Sequence, residues 1–121
     1  MNPIGWFEIY VKDMPRAKAF YEQMLDITLD KIPSPQVEMW AFPSNDENRQ
    51  GFGALVCVEG YKPEGNGTLI YFSCDDCTLE ASRVEAAGGT LQRPKMQIGE
   101  YGFVALVIDT EGNMIGLRSP K

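Results

Sequence analysis

The chain has 121 residues, a formal net charge of −6 and a pI near 4.6, with 44% hydrophobic and 23% charged residues. That is the length of one domain and the composition of an ordinary globular protein, too acidic to attract a phosphate backbone, so nucleic acid is excluded as an expected partner. No apolar run reaches the roughly 18 residues of a membrane span and no charged-then-apolar leader opens the chain, so a cytoplasmic protein without membrane contact is expected.

Histidine is absent. This removes the commonest general base and the commonest metal ligand together. Ser–His and Cys–His nucleophile pairs are excluded, as is any zinc site that needs imidazole. The three cysteines are Cys57, Cys74 and Cys77, an odd count that argues against a disulfide framework. Cys74-Asp75-Asp76-Cys77 has C-x-x-C spacing. It reads either as a redox pair or as a strand end followed by a helix start. Two aspartates between the sulfurs raise a thiol pKa, which suits the second reading better.

In chain order, residues 5–11 alternate as a strand with two unlike faces. Phe7, Ile9 and Val11 form a plain core face, while Trp6, Glu8 and Tyr10 set a carboxylate between two aromatics. The second face suits the wall of a pocket. Asp13 stands where a helix N-cap belongs, and Pro15 falls in the first turn, where its missing N–H costs nothing. Met14, Ala17, Phe20, Tyr21, Met24 and Leu25 then recur at helical spacing, predicting a helix over 14–25 that packs on the first face.

Ile27 to Ile32 alternates as a strand, Pro33-Ser34-Pro35 is a turn, and Gln36 to Phe42 is another strand. In that strand Glu38 and Trp40 share one face and Val37, Met39 and Ala41 the other. Pro43 to Gln50 is a polar loop, and Gly53 to Glu59 a fourth strand rich in small and β-branched residues. Residues 61–67 have linker composition. Leu69 to Cys74 is a strand, Asp75 and Asp76 offer a cap, and Thr78 to Ala87 is a helix stopped by Gly88-Gly89. Thr90 to Arg93 is a short strand, Pro94 to Tyr101 a loop, and Gly102 to Ile108 a strand. Asp109 to Asn113 is a hairpin turn into a last strand, Met114 to Ser119.

The order is βαβββ, linker, βαβββ. The matching caps Asp13 and Asp76 mark an internal duplication: module one spans 1–60 and module two 68–121 within a single domain. Two copies are too few for a solenoid, so two modules sharing a sheet are expected.

With "VKDMPRAKAFYEQML", "CDDCTLEASRVEAAGG" and "IGEYGFVALVIDTEGNMIGLRSP" in those positions, the chain resembles the vicinal oxygen chelate superfamily of glyoxalase I, bleomycin-resistance proteins and extradiol dioxygenases. The resemblance implies an α+β fold. Its two βαβββ modules form a curled eight-stranded mixed sheet around a cleft, with the helices outside. It also implies a homodimer. Enzymes of the family hold a divalent metal with four inward His, Glu or Gln side chains. Aligned on the caps and the Asp109–Asn113 hairpin, those places hold Trp6, Val56, Leu69 and Gly116, none of which has a ligating atom. No metal and no other cofactor is therefore expected. The same alignment turns Glu8, Tyr10, Tyr71 and Arg118 toward the cleft, and resembles the drug-sequestering members, which bind without chemistry.

Trp6, Tyr10, Trp40 and Tyr71 either stack on a flat organic ligand or fill the cleft as core. Glu8 is the best candidate catalytic residue, as a general base; it also suits a cation anchor or an ion pair with Arg118. Tyr101 lies in a cleft-side loop that Gly99 and Gly102 could hinge as a lid. Three functions follow. The first is a metal-free binding protein for a small organic molecule, its cleft lined by Trp6, Glu8, Tyr10, Trp40, Tyr71, Tyr101 and Arg118. The second is a metal-independent isomerase or lyase with Glu8 as base. The third is a degenerate domain whose cleft is filled by its own side chains.

Overall fold

The computed structural model describes residues 7–35, 37–43, 53–59 and 68–121. The linker expected over 61–67 and most of the polar loop after Pro43 lie outside the described residues. Eight strands and two helices follow in the order β1 (Phe7–Tyr10), α1 (Met14–Leu25), β2 (Asp30–Ile32), β3 (Glu38–Ala41), β4 (Gly53–Cys57), β5 (Tyr71–Ser73), α2 (Cys77–Arg83), β6 (Thr90–Gln97), β7 (Phe103–Ile108) and β8 (Met114–Ser119). A single 3₁₀ turn, Gly99–Tyr101, separates β6 from β7. The strands form two four-stranded mixed sheets, β1-β4-β3-β2 and β5-β8-β7-β6, and the identical order displays the duplication. In each, the first and last strands of the module run parallel and the rest antiparallel.

Helix α1 has the bounds its spacing predicts. Asp13 caps it in an extended conformation, accepting the Arg16 N–H at 3.1 Å. Asp26 closes it in the left-handed region (φ 55°). Met14, Ala17, Phe20, Tyr21 and Met24 are buried. They join Ile9, Val11, Leu55, Ala105, Val107, Ile115 and Leu117 in one core that takes in both modules. A ridge of rings runs through it: Phe42 lies 5.6 Å from Phe7, 5.6 Å from Tyr21 and 5.3 Å from Phe72. Rings at such spacing add about 0.5–1.5 kcal/mol per pair beyond their buried area.

Two expectations are corrected. The second helix ends at Arg83 instead of Ala87, and residues 84–88 form turns. Gly89 is pressed against the Phe20 ring and the Ile108 carbonyl: a Cβ there would meet them at 2.5 and 2.7 Å. The turns still make helix-type hydrogen bonds, from the Ala87 N–H to the Arg83 carbonyl at 3.0 Å and from the Gly89 N–H to the Val84 carbonyl at 3.0 Å, and close at Gly88 with its positive φ. Strand β6 then continues through Pro94 to Gln97, where a loop was expected. Proline is tolerated because β6 is an edge strand. The register shifts between Leu91 and Arg93 and again between Arg93 and Met96 absorb the misfit.

The modules are tied by the turn between β7 and β8. Glu111, its side chain 0% exposed, accepts the backbone N–H groups of Lys12 (2.8 Å) and Asp13 (2.9 Å) at the entry to α1. It also takes both prongs of the Arg16 guanidinium, at 2.7 and 2.9 Å, and the Thr110 hydroxyl at 2.9 Å. Asp109 accepts the Glu111 and Asn113 N–H groups within the turn and the buried Tyr21 hydroxyl at 2.7 Å. Asn113 donates its side-chain amide to the Tyr10 carbonyl at 3.0 Å. Burial opposes ionisation of Glu111, but Arg16, the Asp13 N–H, the Thr110 hydroxyl and the Lys12 N–H outweigh it and hold the carboxyl at about 2.

A carboxyl held below its ordinary value of 4.5 stabilises the fold above that pH, and the stabilisation is lost as pH falls toward about 2. Glu111→Gln should therefore cost about 3 kcal/mol in urea unfolding near neutral pH. The gap between variant and native chain should close at about pH 2–3. A gap that stays constant over that range would show that the carboxylate's charge is not what matters.

Candidate functional site

Each sheet has one face under the helices and one face open. The pairing Ile9–Leu55–Trp40 defines the covered face of the first sheet, and Tyr10–Val56–Met39 with Glu8–Ala54–Ala41 the open one. In the second sheet Phe72–Leu117–Ala105 is covered, while Tyr71–Gly116–Leu106 and Ser73–Arg118–Val104 are open. Burial does not simply follow the split. Ala41, Ala54, Val56 and Val104 are buried yet stand outside the main core, so the open side carries a second, thinner apolar layer.

The alternation along β1 places Glu8 and Tyr10 together on this side. The Tyr10 hydroxyl donates to Glu8 Oε1 at 2.9 Å. Tyr71 and Arg118 share the open face of the second sheet. Tyr71 is 44% exposed, and its ring lies over Gly116: a Cβ at Gly116 would stand 2.3 Å from the ring. An aromatic plate therefore occupies the space in which a side chain at Gly116 would project. Trp6 lies outside the described residues, and Tyr101 is placed by its backbone alone. Around that turn the Ile98 N–H donates to the Gly102 carbonyl at 2.8 Å, and Gly99 and Gly102 both have positive φ (58° and 102°).

Trp40 is not with this group. Its register with Leu55 turns it to the covered face. There Lys18 Nζ sits 4.6 Å from its ring centroid and its indole N–H donates to Glu38 Oε2 at 3.2 Å. The sequence carried the correct signal, since Trp40 and Ala41 must point opposite ways. What it lacked was the register of β3 against β1 and β4. The Asp109–Glu111–Asn113 network was also hidden: in a hairpin turn these residues read as ordinary turn formers.

The donor set does not fit a metal centre at the family position. Val56 and Gly116 both face the open side and have no ligating atom. Among the described residues no three His, Cys, Asp or Glu side chains converge as a metal site would require. The first sheet's open face offers a carboxylate and a phenol, and the second's a phenol and a guanidinium, each beside apolar surface, groups that can hold and orient an organic molecule.

Cys74, the first residue of the C-x-x-C pair, is not set up as a thiolate. Both sulfurs are free and Cys77 is buried. Burial first, then Glu80 and Cys77, push the Cys74 thiol up to about 12. Alkylation of Cys74 by iodoacetamide at about pH 8 should run at least about a hundredfold slower than that of a free cysteine of ordinary pKa. Peptide mapping of the labelled chain checks this, and labelling at the rate of free cysteine would contradict it.

Residues 3–117 match the sequence profile of the Glyoxalase/Bleomycin resistance protein/Dioxygenase superfamily. The chain is 24% identical over 115 residues to the mycobacterial protein CFP32 of Mycobacterium tuberculosis and Mycobacterium bovis, covering 93% of itself and 44% of that protein. It thus spans less than half the length of the curated relatives it matches. Among solved structures, it is similar to a glyoxalase I mutant of Zea mays (TM-score 0.73, 20% identity, 95% of this chain and 45% of that one). It is also similar to a glyoxalase/bleomycin resistance protein/dioxygenase family enzyme of Burkholderia phytofirmans (TM-score 0.72, 18% identity, 99% of this chain and 100% of that one). The fold, the hairpin and the matched span together place the chain in the glyoxalase/bleomycin resistance protein/dioxygenase superfamily.

Proposed function

We propose that the chain is a metal-free small-molecule-binding protein whose open sheet faces form the walls of its site. The Tyr71 ring over Gly116 carries this reading. An aromatic plate stands where the superfamily fold would aim a ligating side chain, and the neighbouring Val56 is equally inert. A partly aromatic or amphipathic organic molecule would lay its flat part on Tyr71. Arg118 would donate to an acceptor group and the Glu8–Tyr10 pair would receive a donor. Trp6 and Tyr101 join the lining by sequence position. The exposed Leu69, Tyr71 and Met96 support closure of this face by a second copy of the chain.

The Glu8–Tyr10 hydrogen bond also supports a second reading, a metal-independent isomerase or lyase in which Glu8 removes a proton. In that case Glu8→Gln would leave binding intact and abolish turnover.

A thermal-shift screen of flat aromatic and amphipathic molecules tests the proposal. A ligand at about a hundredfold its Kd adds about 2.7 kcal/mol, several degrees in Tm for a chain of this size. Tyr71 is exposed enough to swing away, so Gly116→Ala should cost no more than about 1 kcal/mol, the low end of what overpacking costs. It should nonetheless weaken the hits about tenfold or more, because it evicts the stacking ring. A screen without hits, or hits that Gly116→Ala and Tyr71→Ala leave unchanged, would contradict the proposal.

A further inference from the structure

The covered side of the first sheet carries a feature the open face does not use. Between α1 and β3 lies a shallow, open depression of about 280 Å³, lined by Met14, Pro15, Lys18, Ala19 and Glu22 from the helix and by Glu38 and Trp40 from the strand. Its size is near the lower bound of small-ligand sites, about 300 Å³. Two carboxylates and one ammonium line it, and Lys31, the register partner of Trp40 on β2, shares its face. Glu22 is already satisfied, by Lys18 at 3.1 Å and by the Leu29 N–H at 2.9 Å. Among the described residues, Glu38 meets the Trp40 indole N–H and no cation.

We propose that this depression is a second binding site, for a small organic molecule with a primary ammonium group and a short apolar body. The arrangement of Lys18 supplies the argument. Its Nζ rests 4.6 Å above the indole while paired to a carboxylate, so the ring face and its acidic surround already attract an ammonium. A ligand ammonium would take that position between the Trp40 face and the Glu38 carboxylate. Lys18 would move off the ring and keep its pair with Glu22. The ligand's apolar body would lie along Met14, Pro15 and Ala19. Trp40 cannot be the floor of such a site unless the indole is fixed, and its hydrogen bond to Glu38 fixes it. No residue of the open face takes part, so this site stands or falls separately from the one proposed above.

The test is titration of the full chain, in a Trp6→Phe background so that Trp40 is the emitter, with phenethylammonium, and with 2-phenylethanol as its neutral counterpart. Saturable quenching by the amine is expected, with the alcohol binding at least about tenfold more weakly. Glu38→Gln should weaken the amine about tenfold, equal to about 1.4 kcal/mol. Lys18→Met should tighten it, because it removes the internal competitor; a merely structural lysine would not have that sign. Gly116→Ala should leave it unchanged. No saturation up to about 10 mM amine, a limit corresponding to under about 3 kcal/mol of affinity, would overturn the proposal. Equal binding of the alcohol, or indifference to both Glu38→Gln and Lys18→Met in a chain with native circular dichroism, would also overturn it.

Discussion

Glu111 is a charged side chain held entirely away from water, and the joining of the two modules depends on it. A buried carboxylate is costly unless nearly every lone pair is used. Here five donors converge on it: two backbone N–H groups, two guanidinium nitrogens and a hydroxyl. Four of them belong to the entry of α1 in the first module, while the carboxylate belongs to a turn of the second. The pairing therefore sets where the first helix starts relative to the last hairpin. Asp109 and Asn113 extend the same turn to Tyr21 and to the Tyr10 carbonyl, so the end of β1 is fixed by the same device. The positions of Glu8 and Tyr10 follow from it.

With that junction made, the two faces of each sheet do different work. The covered faces carry the shared core and the ring ridge Phe7–Phe42–Phe72–Tyr21, which spans both modules. Stability rests there. The open faces add a thinner apolar layer, in which Ala54 and Val56 are buried beside polar groups that reach solvent. On the proposed reading, Val56 and Gly116 stand where other members of the superfamily hold metal donors, and with no side chain at Gly116 the Tyr71 ring lies over it. The face then offers a stacking surface and hydrogen-bonding groups, and the function proposed follows from those.

Much of the fold was legible from residue spacing. The cap at Asp13, the proline in the first turn and the apolar stripe give α1 its bounds, because these signals are local. The hairpin from Asp109 and the last strand from Met114 to Ser119 were equally local. What the sequence could not disclose was anything set by long-range contact. Residue 89 must be glycine because Phe20, some seventy residues away, leaves no room there for a Cβ. Pro94 reads as a strand breaker, and only the edge position of β6 makes it acceptable. For the site, alternation placed Glu8, Tyr10, Tyr71 and Arg118 on the open faces. It left open which face of β3 Trp40 shares with β1, because the partner strand decides that.

The central claim is that this superfamily fold has kept its site and lost its metal donors. Metal content of the purified full chain tests it most directly, measured by plasma mass spectrometry after exposure to Zn²⁺, Ni²⁺, Mn²⁺ and Fe²⁺ in turn and desalting. The account predicts far less than one bound ion per chain for each metal. One tightly held ion per chain, removed only by chelator, would contradict it.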